Sequence, residues 1–296
     1  FSLIYFGGIE GGGTKTKCII AADPEHVLDI TTFPTTNPAI LLPGLAEYFL
    51  QAESRFHVTL SGLGLAYFGP LDLDPQSQTF GAITTTPKLE WQNVSLRDYF
   101  QDHLHIPVAV DTDVNAAANA ERLWGAARGL SDFAYITIGT GIGAGIFANG
   151  KPIHGMVHPE FGHFLLRQDP SIDPFPGVCP YHRGCLEGLA SGPSMAARWQ
   201  VSATTLPDDH PAWDLEASYL GQAIHALTVI CSPQRVILGG GVMDHAGLIE
   251  LVRLKTLQSI NNYVKSPLLE NIDSFVVKPE LGDKAGALGA ISLMFQ

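Results

Sequence analysis

The chain has 296 residues, 46% hydrophobic and 16% charged, with a formal net charge of −12. That length exceeds one compact core and predicts two lobes or one large α/β unit, and the apolar content excludes a disordered chain. The excess of 29 Asp and Glu over 17 Lys and Arg argues against nucleic acid and anionic membranes as partners, while small anions stay accessible to backbone N–H groups or a bound cation.

The opening run from Phe1 to Phe6 is too short for a signal peptide and lacks its basic flank, so it reads as a first strand. It runs into Gly11, Gly12 and Gly13, followed by Thr14 and Lys15 and a second strand over 16–21. A strand–turn–strand of glycines with a hydroxyl and an ammonium can present N–H donors to phosphate oxygens; an ordinary hairpin is the alternative, and the spacing excludes a Walker loop. Apolar residues at three- and four-residue spacing predict a helix over 39–52. A strand follows over 58–64, then a loop over 70–79.

The next strand, 106–110, leads into Asp111, Thr112, Asp113, Val114 and Asn115 and a helix over 115–128. Asp113 reads either as a helix cap or as the acceptor of a proton from an attacking hydroxyl, with Asp111 as the reserve candidate. The strand 133–138 ends in Gly139, Thr140 and Gly141, a second turn of the first kind, because the residues after it read as strand and not as the helix a dinucleotide fingerprint needs. Helices are expected over 186–199, 215–231 and 247–264, loops over 169–180 and 203–213, and a third strand ending in glycines, 235–238, meets Gly239, Gly240 and Gly241. Alternating strands and helices make the class α/β. The similar strand–glycine openings near residues 3 and 133 hint at two related lobes.

Of the four cysteines, Cys18 and Cys231 stand alone in apolar stretches, which argues against a disulfide framework and fits a reducing, cytoplasmic compartment. Cys179, His182 and Cys185 crowd within seven residues, and His163 lies upstream. Two thiolates and two imidazoles make a closed S₂N₂ set suited to zinc, and a loop rich in Pro and Gly needs such a staple; a redox pair or buried thiols are the alternative.

With these residues in view the chain resembles the ROK family of sugar kinases and repressors, and within it the bacterial fructokinases. The resemblance runs through residues 7–15, Pro87 to Trp91, 111–115, 158–163, 177–182 and 282–286. It implies an actin-like, hexokinase-like fold of two ribonuclease-H-like lobes closing a cleft on ATP and sugar. The lobes would span 1–112 plus 284–296 and 113–283, with the last helix returning to the first lobe. It makes Asp113 the catalytic base and Thr112, Glu160, His163 and Glu187 sugar ligands. Gly12, Gly13, Thr14, Lys15, Thr140 and Gly141 become phosphate contacts, and Gly239, Gly240 and Gly241 approach the adenosine. His163 would serve both zinc and sugar, and Glu10 would assist hydration of Mg²⁺. A homodimer is implied as well.

Two departures from the family pattern favour fructose: Thr112 stands where many members carry Asn, and the cysteine loop has the C-P-Y-H-x-x-C form. Within the family the alternatives are a glucokinase, a mannokinase, an N-acetylhexosamine kinase or a non-catalytic sugar sensor. A strand beginning near residue 3 leaves no room for the helix-turn-helix of a repressor.

Overall fold

The computed structural model describes residues 3–86 and 88–295. Phe1 and Ser2 of the opening run and Pro87 of the Pro87–Trp91 motif lie outside the described residues. The chain forms two compact units, Phe1–Arg128 with Ile153–His158 and Asp283–Gln296, and Gly129–Pro152 with Pro159–Gly282.

The first unit opens with strands β1 (Tyr5–Gly11), β2 (Lys15–Ala21) and β3 (Val27–Pro34), joined as an antiparallel meander. Helix α1 (Pro38–Phe56) follows; Asn37 caps it by accepting from Ala39 N–H, Pro38 occupies its first turn, and His57 closes it in the left-handed region. Strand β4 (Leu60–Tyr67) then pairs parallel with β1, helix α2 (Leu96–Leu104) crosses over, and β5 (Val108–Thr112) pairs parallel with β4. The sheet order is β3-β2-β1-β4-β5. Leu45 and Phe49 of α1 join Ile9, Ile20, Leu63, Leu65, Trp91 and Phe100 in the main core. Cys18 is buried there too, which pushes its thiol far above the ordinary range and leaves it inert.

Helix α3 (Asp113–Trp124) ends the first continuous stretch of this unit. The first stretch of this unit runs to Arg128, and α3 packs within it: Ala116 joins Ala66, Ala290 and Leu293 in a small-residue cluster. The Asn119 amide also donates to the Ser292 carbonyl at 2.9 Å.

The second unit repeats the plan. Strands β6 (Phe133–Ile138), β7 (Ile142–Ala148) and β8 (Lys151–Pro152) form a meander. Helices α4 (Leu186–Ala190), α5 (Gly192–Trp199) and α6 (Ala212–Cys231) lead to β9 (Arg235–Gly239), parallel to β6. After α7 (Leu248–Ile260), α8 (Pro267–Glu270) and α9 (Ile272–Phe275), the short β10 (Val276–Val277) pairs parallel with β9. The order β10-β9-β6-β7-β8 is the first sheet's connectivity again, so the hint in the two strand–glycine openings reflects a repeated topology. The last helix, α10 (Ala285–Ser292), belongs to the first unit.

One expected helix is two. The 186–199 pattern breaks at Ser191, whose extended backbone (φ −74°, ψ 161°) caps α5 with its hydroxyl while Pro193 sits in the first turn. The break frees Gly192 N–H to donate to the Gly139 carbonyl at 2.8 Å. Strand β3 and helix α2 carry no clear pattern in the sequence: Thr and Asp interrupt the former, and the latter buries only Leu96 and Phe100.

Candidate active site

The two glycine turns are built alike. In the first, Gly12 N–H donates to the Lys15 carbonyl (2.9 Å), the Thr35 hydroxyl to the Gly12 carbonyl (2.8 Å) and Thr35 N–H to the Thr14 carbonyl (2.9 Å). The Gly12 and Thr14 carbonyls are thereby tied back, while the N–H groups of Gly13 and Thr14 have no hydrogen-bond partner among the described residues. In the second, Gly139 N–H donates to the Gly141 carbonyl (2.9 Å) and Gly192 N–H holds the Gly139 carbonyl, again leaving Thr140 and Gly141 N–H unspent among the described residues. Exposed N–H donors with neighbouring carbonyls held away are the requirement for receiving an anion. Lys15 is exposed beside the first turn. Lys17 instead pairs with Glu10 at 3.4 Å.

At the end of β5 the two acidic residues part company. Asp111 is buried, and its Oδ1 accepts from Thr112 N–H (2.7 Å) and the Asn115 amide (2.7 Å), with His154 Nε2 3.3 Å from Oδ2. Asp113 is half-buried at the first position of α3, where its Oδ1 accepts from Val114 N–H at 2.9 Å. The cap of α3 is Thr112: its hydroxyl accepts from Asn115 N–H at 3.2 Å, and its side chain is buried. The hydrogen bond that His154 makes to the Asp111 carboxylate raises the His154 pKa, against the opposing effect of burial. His154 had no marker in the sequence: the 153–158 segment carries no periodic pattern, and only folding brings it to β5.

In the second unit Glu187, on the first turn of α4, accepts from Ile142 N–H through Oε2 (2.9 Å) and sets Oε1 4.0 Å from His163 Nε2. That places Glu187 against the second glycine turn on one side and His163 on the other. Glu160 is exposed, immediately before the short 3₁₀ turn Phe161–His163.

The other nitrogen of His163 faces sulfur. Its Nδ1 stands 3.7 Å from both Cys179 Sγ and Cys185 Sγ, and His182 Nδ1 is 3.7 Å from Cys179 Sγ. All four donor atoms lie within 4.8 Å of one another. Bonds of ~2.3 Å to sulfur and ~2.1 Å to nitrogen at a tetrahedral angle separate S from N by about 3.6 Å, so the set fits one four-coordinate metal ion. The loop is shaped for this: Gly177 (φ +85°) sits where a Cβ would meet the Arg183 carbonyl at 1.9 Å, and Cys185 Sγ also caps α4 by accepting from Gly188 N–H. Burial pushes the Cys185 thiol up to about 11, so a cation is what would hold it as thiolate near neutrality. All four cysteines are free.

Strand β9 delivers Gly239 to Gly241 beside a cavity of about 540 Å³, lined in part by Thr140, Gly192, Trp213, Gly241, Val242 and His245. The Trp213 and His245 rings stack 3.6 Å apart. No helix among the described residues is long and apolar enough to cross a membrane.

The sequence matches the ROK family over residues 6–296. The chain belongs to the ROK family. A relative from Bacillus subtilis is 41% identical over 98% of this chain and 95% of its own. The fructokinase of Zymomonas mobilis is 40% identical over 97% of this chain and 95% of its own. Among solved structures, a ROK hexokinase from Thermus thermophilus superposes with a TM-score of 0.77 at 27% identity, covering 98% of this chain and 97% of that one. The ROK member described above therefore has the actin-like, hexokinase-like fold, with one repeat of the sheet plan in each unit.

Proposed function

We propose that this chain is a fructokinase, transferring the γ-phosphoryl group of ATP to fructose and releasing fructose 6-phosphate and ADP. The observation that carries phosphoryl transfer is the pair of glycine turns with unspent N–H donors, one in each unit. Choice of sugar rests on the fructokinase of Zymomonas mobilis, alike over nearly the whole chain.

In this reading Gly12, Gly13, Thr14 and Lys15 with Thr140 and Gly141 hold phosphate oxygens. Gly239, Gly240 and Gly241 face the adenosine, for which the 540 Å³ cavity and the Trp213–His245 stack offer a flat apolar seat. A fructose hydroxyl oxygen attacks the γ-phosphorus, the bond from phosphorus to the ADP oxygen breaks, and the hydroxyl proton passes to Asp113. The family resemblance assigns this role to Asp113, half-buried at the first position of α3, while Asp111 is buried and holds Thr112, Asn115 and His154 in place.

Thr112, Glu160, His163 and Glu187 recognise the sugar hydroxyls. Glu10 is the residue that would assist hydration of Mg²⁺ carried with ATP, which would supply charge neutralisation at the phosphates. His163, Cys179, His182 and Cys185 would hold a zinc ion; four protein ligands would leave no open position, so its part would be to fix the ring of His163 and not to do chemistry. A homodimer, on the family resemblance, completes the reading.

A coupled ADP-release assay across fructose, glucose, mannose and N-acetylhexosamines tests it. Fructose is expected to give a clearly higher kcat/KM than the others. Equal values for glucose and fructose would overturn the choice of sugar, and sugar binding without ADP release would overturn the kinase.

A further inference from the structure

The Pro87–Trp91 motif has no task in the mechanism above, yet its lysine stands at the first glycine turn. Lys88 Cε lies 3.8 Å from the point where a Cβ on Gly13 would stand. Lys88 is half-buried, and its ammonium makes no hydrogen bond or ion pair among the described residues. In a chain with 29 carboxylate side chains against 17 Lys and Arg, an uncommitted, partly desolvated ammonium beside two unspent N–H groups is an electrostatic cost unless an anion joins them.

The position is held from both ends. Trp91 is fully buried, packs on Tyr67 and Phe68, and donates through Nε1 to the Thr36 carbonyl at 3.1 Å. Thr35, one residue earlier, ties back the carbonyls of the glycine turn. Lys88 N–H donates to the Thr86 hydroxyl (3.3 Å), and the Gln92 side chain holds the Thr86 carbonyl (2.9 Å). The strand end at Thr35 and Thr36 therefore fixes both the N–H donors and the segment carrying the ammonium.

We propose that Lys88 is a further phosphate-binding and catalytic residue, its ammonium bonding the terminal phosphate oxygens of ATP alongside Gly13 and Thr14. This deepens the kinase reading and rests on it. Charge spread over the transferring phosphoryl group is what such a fixed cation stabilises.

The test compares wild type with Lys88→Gln and Lys88→Arg, by steady-state kinetics with fructose and by calorimetric titration with ATP and AMP. Removing one fixed donor to developing charge costs about 10²-fold in kcat. Lys88→Gln is therefore expected to lose that much turnover and bind ATP about tenfold more weakly, with AMP affinity and melting temperature unchanged; Lys88→Arg, which keeps the charge, should recover part of both. Unchanged turnover and ATP affinity in Lys88→Gln would overturn the proposal, and so would a defect confined to the KM for fructose. Should the wild type phosphorylate no hexose, the kinase reading falls, and the ATP-against-AMP comparison still decides Lys88.

Discussion

Asp113→Asn separates catalysis from structure because the two costs differ in size. At the first position of α3 a carboxylate gains about 0.3–1 kcal/mol from the helix dipole, and Asn keeps an acceptor for Val114 N–H. Thr112, the true cap, is untouched. Loss of a general base costs roughly 10²–10⁴ in turnover, or about 2.7–5.4 kcal/mol of barrier. The variant should thus melt close to wild type and bind fructose normally, while its kcat falls at least a hundredfold. Asp111→Asn should behave in the opposite sense. It disturbs a buried carboxylate that accepts from Thr112 N–H and Asn115, and charge-assisted bonds of this kind contribute about 1.5–3 kcal/mol each. Thermal unfolding and single-turnover phosphoryl transfer on both variants decide the matter. If Asp113→Asn kept more than a tenth of wild-type turnover, the assignment of the base would be refuted.

Zinc is expected at about one ion per chain by elemental analysis, and Cys179→Ser should lose it together with fructose affinity if His163 serves both as proposed; active protein free of metal would refute this. Thr112→Asn should raise the glucose-to-fructose ratio of kcat/KM by about tenfold, since an amide adds a donor to an acceptor and a buried unpaired group costs about 1–3 kcal/mol; Asn also caps helices well, so a lost fold would not mask the result. Gly64→Ala should destabilise by about 3 kcal/mol or more in denaturant unfolding, because its Cβ would stand 1.7 Å from the Ala290 carbonyl oxygen. The Asp111 partnership raises the His154 pKa, so its stabilisation is fully present below the unfolded value of ~6.5 and fades as pH rises through the higher folded one. The melting-temperature gap between wild type and His154→Gln should follow that course, and a pH-independent gap would contradict it.

What could be read in the sequence was whatever is local in the chain. The glycine turns, the strand ends that carry them and the Cys179–Cys185 loop announce themselves because spacing along the chain fixes spacing in space over a few residues. The partners of those turns do not. Thr35 reaches Gly12 from the far end of a hairpin, Gly192 reaches Gly139 through a helix break, and His154 meets Asp111 across 43 positions of chain. None of these has a period or a motif of its own. The packing of α3 is of the same kind: the sequence shows a strand ending near residue 112, but not that the following helix lies against α10, whose Gly289 faces the Ala116 backbone.

The two turns also show what repetition of the sheet plan requires. Each meander runs from its first strand into a glycine turn and must dispose of the carbonyls of that turn before its N–H groups can serve a ligand. The first unit does so with a threonine hydroxyl and N–H from the end of β3, the second with the N–H of a helix start. Different residues thus solve one hydrogen-bonding problem at equivalent places, so the equivalence lies in backbone geometry and leaves little trace in residue identity. The cation is supplied unequally: Lys15 flanks the first turn and Lys88 overlooks it, whereas Glu187 takes Ile142 N–H beside the second. A phosphate on the first turn thus meets fixed positive charge, whereas beside the second turn Glu187 adds an acceptor that a sugar hydroxyl can use.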